Sequence, residues 1–202
     1  MKIAILISGR GSNMVSILDA HRQNKFESNI EIEVIISNKT NAEGIIHAKQ
    51  MGYPVEIIPH INYNSREDHE REIIKLLEDR NIQLIVLAGY MRILSKYFVS
   101  NYQNKILNIH PSLLPSFPGL HAQRQAFEYG VKYTGVTVHF VNEEVDQGII
   151  IMQEVLEIYP AETIEQLTLR MLEVEHHIYP KAIDLICSGK YSINGRILQR
   201  ND

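Results

Sequence analysis

Five unbroken apolar residues, Ile3-Ala4-Ile5-Leu6-Ile7, run into Ser8-Gly9-Arg10-Gly11-Ser12-Asn13 and then into a stretch of helical period ending near Gln23. A continuous apolar run of this length fits a strand covered on both faces. The pattern recurs. Residues 32–36, 55–58, 84–87 and 106–109 are strand-like, and residues 13–23, 42–51 and 65–80 are helical, the last with Ile73, Ile74, Leu76 and Leu77 as an apolar stripe among charges. Strand and helix alternating in this way predict βαβ units, a parallel sheet and right-handed crossovers.

After Pro118 the pattern changes. Residues 135–141 and 148–158 are two strand-like runs around the polar turn Asn142-Glu143-Glu144-Val145-Asp146-Gln147, which predicts antiparallel or mixed additions to the sheet. Residues 163–186 read as helix, opened by Thr163 and Gln166 as a capping box and expected to kink or break at Pro180. Residues 190–199 carry Asn194-Gly195 between β-prone pieces and predict a terminal hairpin. The expected fold is a single α/β domain, a mostly parallel twisted sheet with helices on both faces and mixed strands in the C-terminal half.

Composition narrows the function. The 202 residues carry 20 Lys plus Arg against 24 Asp plus Glu, a net charge of −4, which offers no basic stripe for nucleic acid. No apolar run approaches the ~20 residues of a membrane span, and the N-terminal run stops too early for a signal peptide. A single cysteine, Cys187, excludes an internal disulfide and the paired-cysteine zinc patterns, and fits a reducing, cytoplasmic setting. The nine His are scattered without metal-ligand spacing, so no metal is expected.

Three features could hold chemistry. In the first glycine turn, Gly9 and Gly11 let the backbone approach a ligand, and the free N–H groups of the following helix favour a phosphate. Met14 stands where a third fingerprint glycine would fall, and Ser37-Asn38-Lys39 offers no carboxylate for a ribose, so one phosphate is favoured over a dinucleotide. The same residues also suit a tight turn with no ligand. Asn108 and His110 lie two apart at the end of the fifth strand, hence on one face, before the stiff loop Pro111-Ser112-Leu113-Leu114-Pro115-Ser116-Phe117-Pro118. An amide donor beside an imidazole suits a developing oxyanion and a moving proton. Asp146 would favour the imidazolium if the fold brings it to His110, and otherwise joins Glu143 and Glu144 as a solvated loop acid.

Ser8-Gly9-Arg10-Gly11-Ser12-Asn13, Leu87-Ala88-Gly89-Tyr90-Met91-Arg92-Ile93-Leu94, Asn108-Ile109-His110-Pro111-Ser112-Leu113-Leu114-Pro115, and Asp146 with Gly148 occur in one order and spacing. In this the chain resembles the folate-dependent phosphoribosylglycinamide formyltransferase family, across essentially its whole length. The resemblance implies a formyltransferase-like Rossmann variant spanning 1–202, with a phosphate-binding half to about residue 100 and a catalytic, folate-binding half from about 101. It implies transfer of the formyl group of 10-formyltetrahydrofolate to the amine of 5-phosphoribosylglycinamide through a tetrahedral intermediate, a step of purine synthesis. Asn108, His110 and Asp146 would be catalytic. Gly11, Ser12, Asn13 and Glu175 would bind the phosphoribosyl substrate. Arg66, Met91, Arg92, Ile93 and Leu94 would contact the folate together with Asn108, Asn142, Glu143, Glu144, Val145 and Asp146.

Two departures stand out: Ile149 where members often have proline after Asp-x-Gly, and Leu172 where a polar residue is associated with phosphate. Small-molecule partners only are implied, in a monomer or homodimer. A tRNA formyltransferase of this fold would carry about a hundred further residues. A formyltetrahydrofolate hydrolase is the nearer enzymatic alternative, since the same three residues can direct water, and a non-catalytic nucleotide-binding module is the alternative outside enzymes.

Overall fold

Strand β1 (Lys2–Ile7) divides the core by alternation, because successive strand side chains point to opposite faces of a sheet. Ile3, Ile5 and Ile7 join one apolar cluster and Ala4 and Leu6 the other, all fully buried. In this computed structural model, which describes residues 1–201, the first cluster is completed by α1 (Ser12–Arg22), α2 (Glu43–Gln50) and α6 (Ile164–Ser188). The second is completed by α3 (Arg66–Asp79), through Ile73, Ile74 and Leu77, and by α4 (Lys96–Asn101), through Phe98 and Val99.

Beside β1 lie β2 (Glu31–Ser37) and β4 (Leu84–Leu87), both parallel to it, with β3 (Val55–Ile57) and β5 (Ile106–His110) parallel outside them. Next come β6 (Tyr133–Phe140) and β7 (Ile150–Glu157), each antiparallel to its inner neighbour. The hairpin of β8 (Tyr191–Asn194) and β9 (Ile197–Arg200) closes the far edge. The nine strands form one sheet in the order β3-β2-β1-β4-β5-β6-β7-β9-β8. This is the mostly parallel α/β sheet with a mixed C-terminal half that the sequence predicts.

The structure departs from the sequence reading in three places. Helix α6 runs unbroken through Pro180, with no break there. Its buried stripe of Leu167, Met171, Glu175, Ile178, Tyr179, Ala182, Ile183 and Ile186 continues on both sides of the proline. A buried large apolar side chain is worth roughly 1.5–3 kcal/mol, so the flanking residues outweigh the ~3 kcal/mol a helical proline costs. Two short helices escape the periodicity: α4, whose six residues bury only Phe98 and Val99, and α5 (Ala122–Tyr129), which follows the proline-rich loop directly. In the terminal hairpin the turn is Gly195-Arg196, with Gly195 at φ 60°, while Asn194 remains in the strand. The Thr163–Gln166 capping box forms as expected.

Candidate active site

The parallel strands end on one rim of the sheet, where open α/β folds hold ligands, and the segments leaving β1, β4 and β5 meet there. Tyr179 of α6 ties β4 to β5: its hydroxyl donates to the carbonyls of Leu87, the last residue of β4, at 3.0 Å and of Leu107, the second residue of β5, at 3.1 Å.

On β5, strand alternation places Asn108 and His110 on one face, and the antiparallel register sets Asn108 opposite His139 and His110 opposite Thr137. His139 Nδ1 lies 2.8 Å from the Phe140 carbonyl, which can only accept, so Nδ1 holds the ring hydrogen. Nε2 is then an acceptor, and Asn108 Nδ2 donates to it at 3.3 Å. Burial lowers the His139 pKa and favours this neutral ring, against the smaller opposing pulls of the Phe140 carbonyl and Asp146. One amide hydrogen of Asn108 is thus engaged and the other is free of protein partners among the described residues.

His110 is 5% exposed. Its Nε2 donates to the Phe117 carbonyl at 2.9 Å, and its Nδ1 stands 3.4 Å from Asp146 Oδ2. An imidazolium has acceptors here for both N–H groups. A neutral ring with the hydrogen on Nε2 would instead point a lone pair at the carboxylate. Asp146 Oδ1 is 3.7 Å from His139 Nε2, and Asp146 Oδ2 accepts the Gly119 N–H at 2.7 Å. One carboxylate therefore faces two imidazoles, and burial disfavours the charged form of His139.

The loops that build this arrangement are locally constrained. Asp146 has φ 56°, a left-handed conformation that aspartate tolerates better than most residues. Two residues on, a Cβ at Gly148 would lie 1.6 Å from the Phe140 carbonyl oxygen, so only glycine fits. The proline-rich loop is tied to the sheet through Thr137, whose Oγ1 donates to the Ser112 carbonyl at 2.7 Å and accepts from Leu114 N at 3.1 Å. That fastening sets Phe117 O and Gly119 N against the His110–Asp146 pair.

Gly11, at φ 74°, is the N-cap of α1. The turn is drawn against the start of α2, where Gly44 N donates to Gly9 O at 3.0 Å and a Cβ at Gly11 would lie 3.1 Å from Gly44 Cα. Ser12 opens the helix, Arg10 is exposed, and Asn13 is buried. Asn13 Nδ2 donates to Glu175 Oε2 at 2.6 Å, while Asn13 Oδ1 is buried with no partner. Burial raises the Glu175 pKa, and the bond from Asn13 offsets part of that. An orphan acceptor and a buried carboxyl beside a free helix N-terminus fit a polyhydroxy, phosphorylated ligand.

Of the other expected contacts, Met91 and Ile93 are 69% and 64% exposed on the segment after β4, Arg92 and Leu94 are half-buried, and Leu94 packs against the α3–α4 cluster. Asn142, Glu143, Glu144 and Val145 form the exposed loop after β6, which is joined to the β4 side by the Glu143–Lys96 ion pair at 3.2 Å. Met91, Ile93 and Val145 thus present exposed apolar side chains among these polar residues. Arg66 stands apart, exposed on the first turn of α3 and without an ion pair among the described residues.

Sequence reasoning missed His139, Gly44 and the backbone groups of Phe117 and Gly119. His139 sits in the apolar run Val138-His139-Phe140, and only the pairing of β6 with β5 gives it a role.

Residues 1–183 match the family described as Formyl transferase. The phosphoribosylglycinamide formyltransferase of Escherichia coli (strain K12) is 40% identical over 194 residues, 96% of this chain and 91% of that protein. The trifunctional purine biosynthetic protein adenosine-3 of Gallus gallus is 44% identical over 193 residues, 96% of this chain but 19% of that protein. The chain thus spans about a fifth of the trifunctional relatives it matches. Among solved structures, glycinamide ribonucleotide transformylase 1 from Symbiobacterium toebii superposes with a TM-score of 0.95 at 41% identity, covering 100% of this chain and 94% of that one.

Proposed function

The chain belongs to the formyl transferase family, and from that membership and the geometry of the site we propose that it transfers the formyl group of 10-formyltetrahydrofolate to the amine of 5-phosphoribosylglycinamide. The observation that carries the reading is the joining of Asn108, His110 and Asp146 at one rim of the sheet, beside a glycine turn suited to phosphate. The E. coli relative bears the name of this activity and is matched over nearly all of its length.

In the proposed reaction the substrate amine adds to the formyl carbon, and negative charge grows on the formyl oxygen. The free amide hydrogen of Asn108 donates to that oxygen, and the charge of the His110 imidazolium, whose N–H groups face the Phe117 carbonyl and Asp146, favours the negative charge there. His139 holds the Asn108 amide, since its neutral Nε2 accepts the other amide hydrogen. A new C–N bond forms to the glycinamide nitrogen, and the bond from the formyl carbon to the folate nitrogen breaks. One proton leaves the amine and one arrives on the departing folate nitrogen. His110 and Asp146 move that proton, which balances the step. Positioned proton transfer contributes about 10²–10⁴ in rate and an oxyanion donor about 10²–10³.

The Gly11-Ser12-Asn13 turn would hold the phosphoribosyl end through backbone N–H groups, and Glu175 with the Asn13 Oδ1 acceptor would orient the glycinamide portion. Leu172 supplies no polar side chain, so backbone donors would carry the phosphate. Met91, Ile93 and Val145 would cover the folate ring, with Arg92, Leu94, Asn142, Glu143 and Glu144 at its edge and Arg66 toward its acidic tail.

The test is the release of tetrahydrofolate from 10-formyltetrahydrofolate with and without 5-phosphoribosylglycinamide. Release that requires the acceptor is expected; equal release without it identifies a hydrolase, and none in either case removes the enzymatic reading.

A further inference from the structure

Ser8 and Asn38 are polar side chains at the ends of β1 and β2, only 3% and 1% exposed. Burying two such groups beside an apolar sheet is costly unless both are hydrogen-bonded. They are bonded to each other: Ser8 Oγ donates to Asn38 Oδ1 at 2.6 Å, the length of an O–H···O bond. With its hydrogen so engaged, Ser8 Oγ keeps a lone pair, and it accepts the backbone N–H of Met91 at 2.8 Å across 83 residues of sequence. Asn38 is itself pinned: His60 Nδ1 lies 2.9 Å from its carbonyl and 3.2 Å from its Nδ2, and its own N–H reaches the Ile7 carbonyl at 3.4 Å.

The order β2-β1-β4 makes these residues a tether running across three adjacent strand ends. What it fixes is the start of the segment 91–94. Met91 and Ile93 there project their side chains outward, 69% and 64% exposed, so those side chains add little packing to hold the backbone in place.

We propose that Ser8, backed by Asn38, is a positioning residue for the formyl donor, setting the backbone of the segment that receives the folate ring through the Ser8 Oγ to Met91 N–H bond. The inference rests on the reading of residues 91–94 as the donor-binding segment. Ser8 touches none of Asn108, His110, His139 or Asp146 through a hydrogen bond, so the tether acts on donor binding and leaves the proton-moving pair in place.

The experiment compares the wild type with Ser8→Ala, Ser8→Thr and the double variant Ser8→Ala/Asn38→Leu. It measures KM for each substrate, kcat, the thermal midpoint, and the Kd for tetrahydrofolate by calorimetric titration without turnover. In Ser8→Ala the donor KM and the tetrahydrofolate Kd rise roughly tenfold, the size of one lost hydrogen bond, while kcat and the acceptor KM stay within about threefold. Ser8→Thr, which keeps the hydroxyl, returns donor binding toward the wild type. In the double variant no unpaired Asn38 oxygen remains, so the thermal midpoint recovers toward the wild type while donor binding stays weak.

Unchanged donor KM and tetrahydrofolate Kd in Ser8→Ala would overturn the inference. So would a double variant in which donor binding recovers together with stability, since the side chains would then serve only the fold. A wild-type protein that neither turns over nor binds tetrahydrofolate defeats the donor-binding reading itself, a result distinct from either of these.

Discussion

Asp146 faces two imidazoles, at 3.4 Å from His110 Nδ1 and 3.7 Å from His139 Nε2, and the chemistry depends on which ring takes the proton. Burial favours a neutral His139 and the Phe140 carbonyl places its hydrogen on Nδ1, so Nε2 accepts and the carboxylate serves His110. Asp146→Asn keeps an acceptor for the Gly119 N–H but removes the charge; turnover is expected to fall by about 10²–10⁴ with the thermal midpoint little changed. Steady-state kinetics beside calorimetry checks this, and a rate near the wild type refutes the role. Glu175 gives a second prediction. Its pKa is raised above the ordinary 4.5, chiefly by burial, so the native state binds this proton more tightly than the unfolded chain. Stability from that group is present below about pH 4.5 and is lost as pH rises through the native value, so at neutral pH the buried carboxylate costs stability. Glu175→Gln, which still accepts from Asn13, should raise the thermal midpoint at pH 7.5 and lower activity, and a lowered midpoint contradicts the argument. At this scale Asn108 and His110 were legible because strand alternation and a strand end suffice to place them. The approach of Asp146 was not, because it depends on a left-handed residue and a loop closed onto Gly119.

Among the elements, the loop from β6 to β7 is the most demanding. A Cβ at Gly148 would stand 1.6 Å from the Phe140 carbonyl oxygen, the acceptor that fixes the His139 tautomer, and 3.4 Å from His139 Nδ1. Gly148→Ala is expected to cost about 2–3 kcal/mol and to lower kcat through His139 and Asn108, measurable by denaturant unfolding and kinetics. Wild-type stability in that variant would mean the loop relaxes freely. Ile149 follows directly, without the stiffening that a proline would give, and the loop is held by Gly148, the Asp146–Gly119 bond, the Glu143–Lys96 ion pair and the bond from Arg196 to the Gln147 carbonyl. The first three helices and five strands were legible from period alone. Helix α6 was legible in extent, but its continuity through Pro180 was not, since a local rule favouring a break is overridden by the buried stripe on either side. Helices α4 and α5 are too short to show a period, and α4 is fixed by Ser95, whose Oγ accepts from Phe98 N at 3.1 Å.

For the molecule as a whole, three histidines share one behaviour. His69, His139 and His176 all have pKa values lowered from 6.5, in each case chiefly by burial. The unfolded chain therefore binds these protons more readily, so their contribution is fully present above about pH 6.5 and is lost as pH falls through the lowered native values. The thermal midpoint should fall between pH 7 and 5, and His69→Gln, which removes one of the three rings, should flatten that slope; an unaltered slope counts against the assignment. Charge balance has a different consequence at this scale. With a net charge of −4, the proposed reaction would require a phosphorylated substrate and an acidic folate to be held by local features such as the Gly11 turn, Arg92 and Arg66.

In the proposed reaction the site passes a formyl group to an amine and not to water. A single turnover with isotopically labelled formyl on 10-formyltetrahydrofolate, in the presence of 5-phosphoribosylglycinamide, reads this directly. The label is expected in the formamide of the phosphoribosyl product, with little released as formate and with transfer suppressed in His110→Ala. Label recovered as formate, or transfer undiminished by loss of His110, would contradict it.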